Sequence, residues 1–173
     1  MLRSLLGEKE YEAARESTLN AHYTAPEIVD AHWAMAKKLG FKGGRFLETS
    51  AGAGYYLGMM PEDVAKKTRS TAVEKDATTA EITRLLYPST NVKHQGFEQF
   101  QSPDDFYDLV ASNVPFGDYG VHDPRYNKHK ALIHDYFFLK SADKVRPGGL
   151  IMHITSKGTM DKFDPEVRKE LAK

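Results

Sequence analysis

The sequence of 173 residues contains no cysteine. Disulfide bonds and thiolate-ligated metal sites are therefore excluded, and the composition is compatible with a reducing compartment. A net charge is also lacking, because 24 lysine and arginine residues balance 24 aspartate and glutamate residues. No global field draws the chain toward nucleic acid or a membrane, so any contact with DNA must come from a local patch.

Long hydrophobic runs are absent as well. No apolar stretch approaches the roughly 20 residues of a membrane-spanning helix, and the first residues lack the apolar segment of a signal peptide. We therefore expect a cytoplasmic protein with no membrane partner. The composition, 40% hydrophobic and 28% charged, suits one globular domain with one core.

A glycine-rich stretch from Gly43 to Gly58, GGRFLETSAGAGYYLG, is the most informative part of the chain. It predicts a short strand that ends on a carboxylate, then a tight glycine turn, then a helix. Glycines let the backbone turn sharply and let a ligand approach the main chain, and the helix that follows offers unpaired N–H groups. The predicted cofactor contacts in this stretch are Glu48, Ser50, Ala51, Gly52 and Gly54.

The glycine spacing and the carboxylate indicate which cofactor this turn would hold. A dinucleotide fingerprint requires G-x-G-x-x-G, whereas Gly58 stands one place too late to be its third glycine. Glu48 would repel a pyrophosphate but attract a ligand that carries an ammonium or sulfonium charge. S-adenosylmethionine carries both charges, so the stretch favours this cofactor. The alternative is an ordinary strand-to-helix turn of an α/β domain.

The residues before this stretch predict two helices. Residues 6–17 are amphipathic and predict a short covering helix. A second helix is predicted from Thr24 as N-cap and Pro26 in the first turn. Its buried face is predicted to comprise Ile28, Val29, Trp33, Ala36 and Leu39. Tyr23 and Thr24 lie just outside this helix, where their side chains can face a ligand.

The two strands after the glycine turn end near further candidate cofactor contacts. The second strand ends on Glu74, at about the ~20-residue distance from the glycines at which doubly wound folds place an acid on a ribose. The third strand runs into a turn followed by Phe97 and Glu98, where ligands of open α/β sheets bind. Phe97 either stacks on an adenine ring or packs in the core. The helix between these strands is predicted to turn inward the side chains of Ile82, Leu85 and Leu86.

The stretch FYDLVASNVPFGDYG predicts a buried fourth strand with Asn113 at its exit. The side-chain carbonyl of Asn113 and the main-chain carbonyl of Val114 can accept from one exocyclic amino group, while Phe116 stacks on the ring that carries it. Pro115 restricts Val114 to extended backbone, which helps to aim that carbonyl. We predict these four residues to be catalytic; the alternative is a strand followed by an ordinary turn.

A polar loop follows the exit and contains four basic residues, Arg125, Lys128, His129 and Lys130. The cluster would either contact DNA phosphates or lie in solvent. The spacing of His122, His129 and His134 matches no standard ligand pattern, so we predict no metal site.

The order of the predicted elements indicates the fold. A helix that turns Leu132, Tyr136, Phe137 and Leu139 toward the sheet is expected to stop at Pro147–Gly149, before a fifth strand and a helix from about Pro165. Alternating strands and helices predict an α/β fold with a parallel sheet and right-handed crossovers. We assign residues 1–42 to an N-terminal helical cover, with a cofactor-contacting segment at 21–29, and residues 43–173 to the core.

Six segments in order carry a resemblance to a known family: AHYTAPEIV, FLETSAGAGYYLG, AVEKD, GFEQF, NVPFG and RPGGLIMHITSKGTMDK. They resemble the successive motifs of the N6-adenine DNA methyltransferases whose cofactor motifs precede the catalytic motif. The likeness is greatest to the methylase domains of large helicase-methylase proteins of phages and mobile elements. It implies a Rossmann-like methyltransferase fold, with a mostly parallel sheet and helices on both faces. It also implies methyl transfer from S-adenosylmethionine to the N6 amino group of a flipped adenine in DNA.

The resemblance also implies roles for particular residues and for a partner segment. The residues placed around the cofactor are Tyr23, Thr24, Glu48, Ser50, Gly52, Gly54, Glu74 and Phe97. Residues 113–116 are placed around the flipped adenine. A target-recognition or helicase segment outside this chain is expected as a further partner.

Two departures from the family pattern bear on activity. Val114 stands where the usual motif has its first proline, but valine can serve because the position contributes a main-chain carbonyl. The chain also ends soon after the fifth strand, whereas such enzymes continue through a closing β-hairpin and a target-recognition region. Two alternatives therefore stay open: a methyltransferase of protein glutamine or RNA, and a catalytically inactive cofactor-binding module.

Overall fold

The computed structural model of the protein describes Gly7, residues 24–126 and residues 130–172. The predicted helix at 6–17, the candidate cofactor contact Tyr23, and Lys128 and His129 of the basic loop lie outside the described residues.

Strands and helices alternate along the described chain. The strands are β1 (Gly44–Glu48), β2 (Thr68–Glu74), β3 (Asn91–His94), β4 (Tyr107–Asn113) and β5 (Val145–Ile154). The helices are α1 (Pro26–Lys38), α2 (Tyr55–Gly58), α3 (Glu62–Ala65), α4 (Ala77–Leu86), α5 (Ile133–Lys144), α6 (Gly158–Asp161) and α7 (Glu166–Leu171).

The five strands form one parallel sheet in the order β3-β2-β1-β4-β5. β1 is central: Glu48 pairs with Ala72 of β2, and Leu47 pairs with Val110 of β4. Since all strands run the same way, their carboxyl ends meet at one edge of the sheet. The predicted fold class is confirmed, and this edge brings Glu48, Glu74 and Asn113 to the ends of neighbouring strands.

Both faces of the sheet are buried, as parallel strands require. On one face, Phe46 and Leu109 pack in a cluster with Val29 and Trp33 of α1. On the other face, side chains from β1 and β4 join a cluster that includes Tyr136, Phe137 and Leu139 of α5. These three inward residues of α5 are as predicted, whereas Leu132 precedes the helix as its N-cap.

The predicted inward face of α4 is wrong. Ile82, Leu85 and Leu86 are 44%, 74% and 59% exposed, and the residues that face the sheet are Ala80 and Thr83. The small Ala80 packs with Ala51, Ala72 and Val92, so the helix lies close to the sheet. The Thr83 hydroxyl donates to the Gly52 carbonyl at 2.7 Å. Close approach and this hydrogen bond therefore set the rotation of α4, and the larger side chains point outward.

The predicted face of α1 is correct in part. Val29, Trp33 and Ala36 are buried, but Ile28 and Leu39 are exposed. Pro26 begins the helix as predicted, while the N-cap is Ala25, without a side-chain hydrogen bond, and not Thr24.

The predicted break between α5 and the fifth strand is also wrong. α5 ends at Lys144 and β5 begins at the next residue, so Pro147, Gly148 and Gly149 lie within β5. The pairing of β4 with β5 shifts register between Tyr107 and Leu109, next to these residues. The irregularity accommodates proline and glycine inside the strand. The final helix follows Pro165, as predicted.

In the part of the chain that the structure describes, each helix is too short or too polar to cross a membrane.

We predict that Leu109→Ala lowers the free energy of unfolding by about 2–5 kcal/mol, because it opens a cavity at a fully buried position. Leu85→Ala, at an exposed position of α4, is the control and should change it by less than about 0.5 kcal/mol. Chemical denaturation measures both. A large loss in the Leu85 variant would contradict the outward orientation of this side chain.

Candidate functional site

The carboxyl edge of the sheet contains a cavity of about 60 Å³. Its lining residues are Thr24, Glu48, Ser50, Ala51, Gly52, Ala53, Tyr55, Tyr56 and Asn113. Five of the predicted cofactor contacts and one predicted catalytic residue therefore border one space. Gly54, Glu74, Phe97 and Glu98 were also predicted as cofactor contacts and are not among its lining residues.

Glycine is required at Gly52 and at Gly54 of the turn for different structural reasons. Both have positive φ, +53° at Gly52 and +79° at Gly54, which side chains rarely adopt. A Cβ atom on Gly54 would collide with the Tyr87 ring, so the protein itself requires glycine there. A Cβ on Gly52 would meet no atom within 4 Å and would occupy open space. The cavity at Gly52 therefore has room for a ligand next to the main chain.

The Glu74 carboxylate holds the glycine turn in place. Its Oε2 accepts from the Gly52 N–H at 2.7 Å, and its Oε1 accepts from the Asp76 N–H at 2.8 Å. These bonds join the end of β2 to the turn and to the start of α4. Each carboxylate oxygen has further acceptor capacity, so the predicted contact with a ribose stays a prediction.

Ser50 connects the ends of β1 and β4. Its hydroxyl donates to the main-chain carbonyl of Asn113 at 2.8 Å, and its N–H donates to the Ser112 hydroxyl at 3.1 Å. The Ser112 side chain is fully buried. These bonds fix the exit of β4 relative to the glycine turn. Sequence analysis missed the role of Ser112, because a serine inside an apolar strand carries no distinctive signal.

The carboxyl group of Glu48 is buried beside the cavity. Burial raises its pKa well above the ordinary value, and the nearby Glu74 charge adds to the increase, while a main-chain hydrogen bond from Tyr56 opposes it. Within the described structure, Oε2 is buried without a hydrogen-bond partner. Burial therefore favours the protonated form of Glu48, whereas a cationic ligand beside Oε2 would favour the ionised form.

Tyr56 forms part of the cavity wall and is fixed from α1. Its hydroxyl lies 2.7 Å from Nδ1 of His32, and its carbonyl accepts from the indole N–H of Trp33 at 3.1 Å. Burial and the nearby Glu48 raise the pKa of Tyr56, so the phenol is neutral. Tyr55 and Tyr56 were not predicted as site residues, although the signal was available in two aromatic residues directly after the turn.

The four predicted catalytic residues have different environments. Asn113 lines the cavity, whereas the Val114 side chain is buried in the core. The Val114 N–H donates to the Ile154 carbonyl at 3.1 Å, which extends the pairing of β4 with β5. Proline has no N–H and could not make this bond. Pro115 is half-buried, and Phe116 is 39% exposed just beyond the strand.

Phe97 is a core residue in the structure. Its ring is buried and packs against Phe100, Tyr136 and Phe137, with centroid distances of 6.1, 6.1 and 4.9 Å. Of the two interpretations of its sequence position, this packing matches the core. Glu98 is half-buried beside it. Any cofactor contact by either residue stays a prediction.

Arg125 of the basic loop pairs with acidic residues. The Arg125 guanidinium contacts Asp104 and Asp143 at 2.7 Å each. These contacts compete with phosphate binding by Arg125, so its predicted contact with DNA has no support from its position. Lys130 is exposed. Among residues 24–126 and 130–172, no three His, Asp or Glu side chains are grouped so that they could hold a metal ion.

We predict that wild-type stability falls relative to Glu48→Gln as pH rises from about 4.5. Above that pH the unfolded chain releases the Glu48 proton while the folded protein keeps it, so folding becomes less favourable by up to ~1.4 kcal/mol per pH unit until the raised pKa is reached. Denaturation at a series of pH values measures the difference. Glu27→Gln, at an exposed glutamate of α1, is the control. Parallel stability curves for wild type and Glu48→Gln would show that Glu48 is not neutral.

One curated protein has a segment similar to this chain. Defense against restriction protein B of Escherichia phage P1 is 33% identical over 141 residues, which cover 78% of this chain. The chain spans 6% of the length of that protein. No protein-family model matches the chain.

Three solved structures share the fold at low sequence identity. A Listeria monocytogenes protein assigned as a class I S-adenosylmethionine-dependent methyltransferase has a TM-score of 0.71 and 18% identity, over 87% of this chain and 51% of that one. A Vibrio vulnificus protein assigned as a modification subunit of a type I restriction enzyme has a TM-score of 0.68 and 15% identity, over 94% and 42%. A Pyrococcus horikoshii protein assigned as an RNA methyltransferase has a TM-score of 0.55 and 21% identity, over 87% and 67%.

The TM-scores, from 0.55 to 0.71, show that the five-stranded parallel sheet and its helices are arranged as in these structures. The chain therefore has the Rossmann-like fold of the S-adenosylmethionine-dependent methyltransferases.

Proposed function

We propose that this chain binds S-adenosylmethionine and transfers its methyl group to the N6 amino group of adenine in DNA. The observation that carries the proposal is that the glycine turn and Asn113 border the same cavity. A methyl donor on the turn and an amine held by the exit of β4 would meet in that space.

Two features of the cavity fit the proposed cofactor. The buried Glu48 carboxyl has an oxygen without a partner in the described structure, and a cationic ligand would stabilise its ionised form. Gly52 leaves open space beside its main chain. When bound, S-adenosylmethionine supplies an electrophilic methyl group. About 60 Å³ holds only about two water molecules, so S-adenosylmethionine would extend beyond this cavity or widen it.

The residues at the exit of β4 would orient the acceptor. The Asn113 side-chain carbonyl and the Val114 main-chain carbonyl accept the two N–H groups of an adenine amino group, which directs the nitrogen lone pair away from them. Phe116, partly exposed, offers a face for the base to stack on. A base inside a duplex cannot reach this position, so it must leave the helix first. Catalysis by these residues is mainly positioning.

Ser50 links the two halves of this proposed site. Because its hydroxyl donates to the Asn113 carbonyl, the position of the acceptor strand follows that of the glycine turn. The link supports transfer between the two, since small displacements of reacting groups reduce rates strongly.

The comparisons support DNA as the substrate. The phage protein similar over 141 residues is named for defence against restriction, and one structure with the same fold is assigned as a modification subunit of a restriction enzyme. The structure assigned as an RNA methyltransferase favours RNA as the second candidate. Transfer assays on adenine-containing DNA and RNA of the same sequence separate the two.

We predict that Gly52→Ala weakens S-adenosylmethionine binding by roughly ten- to a hundredfold, because the new methyl group fills the space beside the turn. Gly40→Ala is a matched control. Gly40 also has positive φ and open space around it, and it does not line the cavity. Alanine at φ +101° in Gly40→Ala is strained at least as much as alanine at φ +53° in Gly52→Ala, so the control should lose at least as much stability. Isothermal titration that gives equal affinities for the two variants would place the cofactor elsewhere.

We also predict that Asn113→Ala reduces methyl transfer to adenine by roughly 100- to 1,000-fold, because an acceptor of the amino group is lost. Cofactor affinity should stay within about twofold of wild type, since the glycine turn is unchanged. Single-turnover transfer of labelled methyl groups and titration of the cofactor measure the two effects. Asn91→Ala, at an exposed position of β3, is the control. Full transfer by Asn113→Ala would show that this exit is not the catalytic one.

A further inference from the structure

A buried lysine of α5 connects two loops of the proposed site. Lys140 is 3% exposed, and its ammonium donates to the Phe97 carbonyl at 2.7 Å and to the Glu98 carbonyl at 3.4 Å. The same ammonium contacts Asp123 Oδ2 at 2.9 Å. Phe97 and Glu98 follow β3, while Asp123 lies in the loop that follows the exit of β4. One side chain therefore joins a predicted cofactor loop to the loop beyond the predicted base pocket.

Both carboxylate oxygens of Asp123 accept hydrogen bonds. Its Oδ2 also accepts from the Tyr136 hydroxyl at 2.8 Å, and its Oδ1 accepts from the Arg125 N–H at 3.2 Å. Burial alone would raise the pKa of Asp123, but the bonds from Lys140 and Tyr136 outweigh it and lower the pKa. Burial lowers the pKa of Lys140, and Asp123 opposes that shift. The contact is thus a desolvated ion pair that fixes the backbone around Asp123.

Stability alone does not explain an ion pair in this place. Buried pairs are often no more stabilising than apolar side chains of similar volume. Lys140 lies on a helix that buries polar side chains, such as Asp135 and Lys144, beside its aromatic and aliphatic ones, and its ammonium is 5.1 Å from the centre of the Phe97 ring. Only a donor at the end of a long side chain can bind two main-chain carbonyls of one loop and a carboxylate of another.

We propose that Lys140 is a positioning residue that holds the cofactor-side loop at Phe97–Glu98 and the acceptor-side loop at Asp123 in one arrangement. This inference rests on the proposed function, because that function gives the two loops their roles. Lys140 itself is buried and does not line the cavity, so it acts through the loops that it binds.

The same helix provides a matched control. Lys144 lies one turn further on, is 4% exposed, and also donates to a main-chain carbonyl and an aspartate, Ser102 and Asp104, at 2.7 Å each. These partners precede β4 at the opposite edge of the sheet. Loss of Lys144 therefore removes a lysine–aspartate pair at a distance from the proposed site, and Asp104, 41% exposed, keeps its contact with Arg125.

The test compares the double variant Lys140→Met/Asp123→Asn with Lys144→Met, in which Asp104 stays paired with Arg125. The change at Asp123 prevents an unpaired buried charge from unfolding the protein. Asparagine at 123 can still accept from Tyr136. Chemical denaturation first measures the stability that each variant loses. Titration with S-adenosylmethionine and hydrogen exchange of the main chain then report on the loops.

The variant Lys140→Met/Asp123→Asn should bind S-adenosylmethionine about tenfold more weakly than wild type. The variant Lys144→Met should lose less than about twofold. Hydrogen exchange at residues 96–99 and 118–124 should speed up together in the Lys140 variant only. Wild-type affinity, or unchanged exchange in either loop, would overturn the role of Lys140. If the wild-type protein does not bind S-adenosylmethionine, the proposed function fails, and the exchange measurement alone decides whether Lys140 joins the loops.

Discussion

Parallel pairing of β1 with both of its neighbours is the constraint on which the site depends. Because Glu48 ends the central strand, and Glu74 and Asn113 end the strands on its two sides, chain direction alone brings them to one edge. Hydrogen bonds from Ser50 and from Gly52 then set the distances within this edge. The geometry of the cavity thus follows from the sheet, and the loops add the chemical groups.

The two glutamates at this edge have contrasting environments. Glu74 accepts two main-chain N–H bonds and stabilises the turn, whereas Glu48 is buried and its pKa is raised, partly by the charge of Glu74. One carboxylate therefore maintains the structure, while the other has a buried oxygen without a hydrogen-bond partner in the described structure. Sequence analysis predicted both as ligand contacts, because strand position alone does not distinguish them.

The fold could be predicted from the sequence because glycine turns and apolar strands are local signals. The errors came from packing that depends on distant residues. α4 presents alanine and threonine to the sheet, because the glycine turn accepts a hydrogen bond from Thr83, and no periodicity in the helix reveals this. Likewise, the valine at 114 departs from the expected proline, and the structure supplies a reason in its bond to Ile154. The role of Lys140 could not be predicted for the same reason. Two of its partners are main-chain carbonyls, which have no signal in the sequence, and the third, Asp123, is distant along the chain.

The proline inside β5 has a consequence for association between molecules. β3 and β5 are the outer strands of the described sheet, and outer strands offer unpaired main-chain groups to other chains. Pro147 removes one donor from β5, while β3 has only four residues and carries Lys93. Both features discourage edge-to-edge aggregation. Pro147, which was wrongly predicted to end α5, thus leaves this border of the described sheet with one main-chain donor fewer.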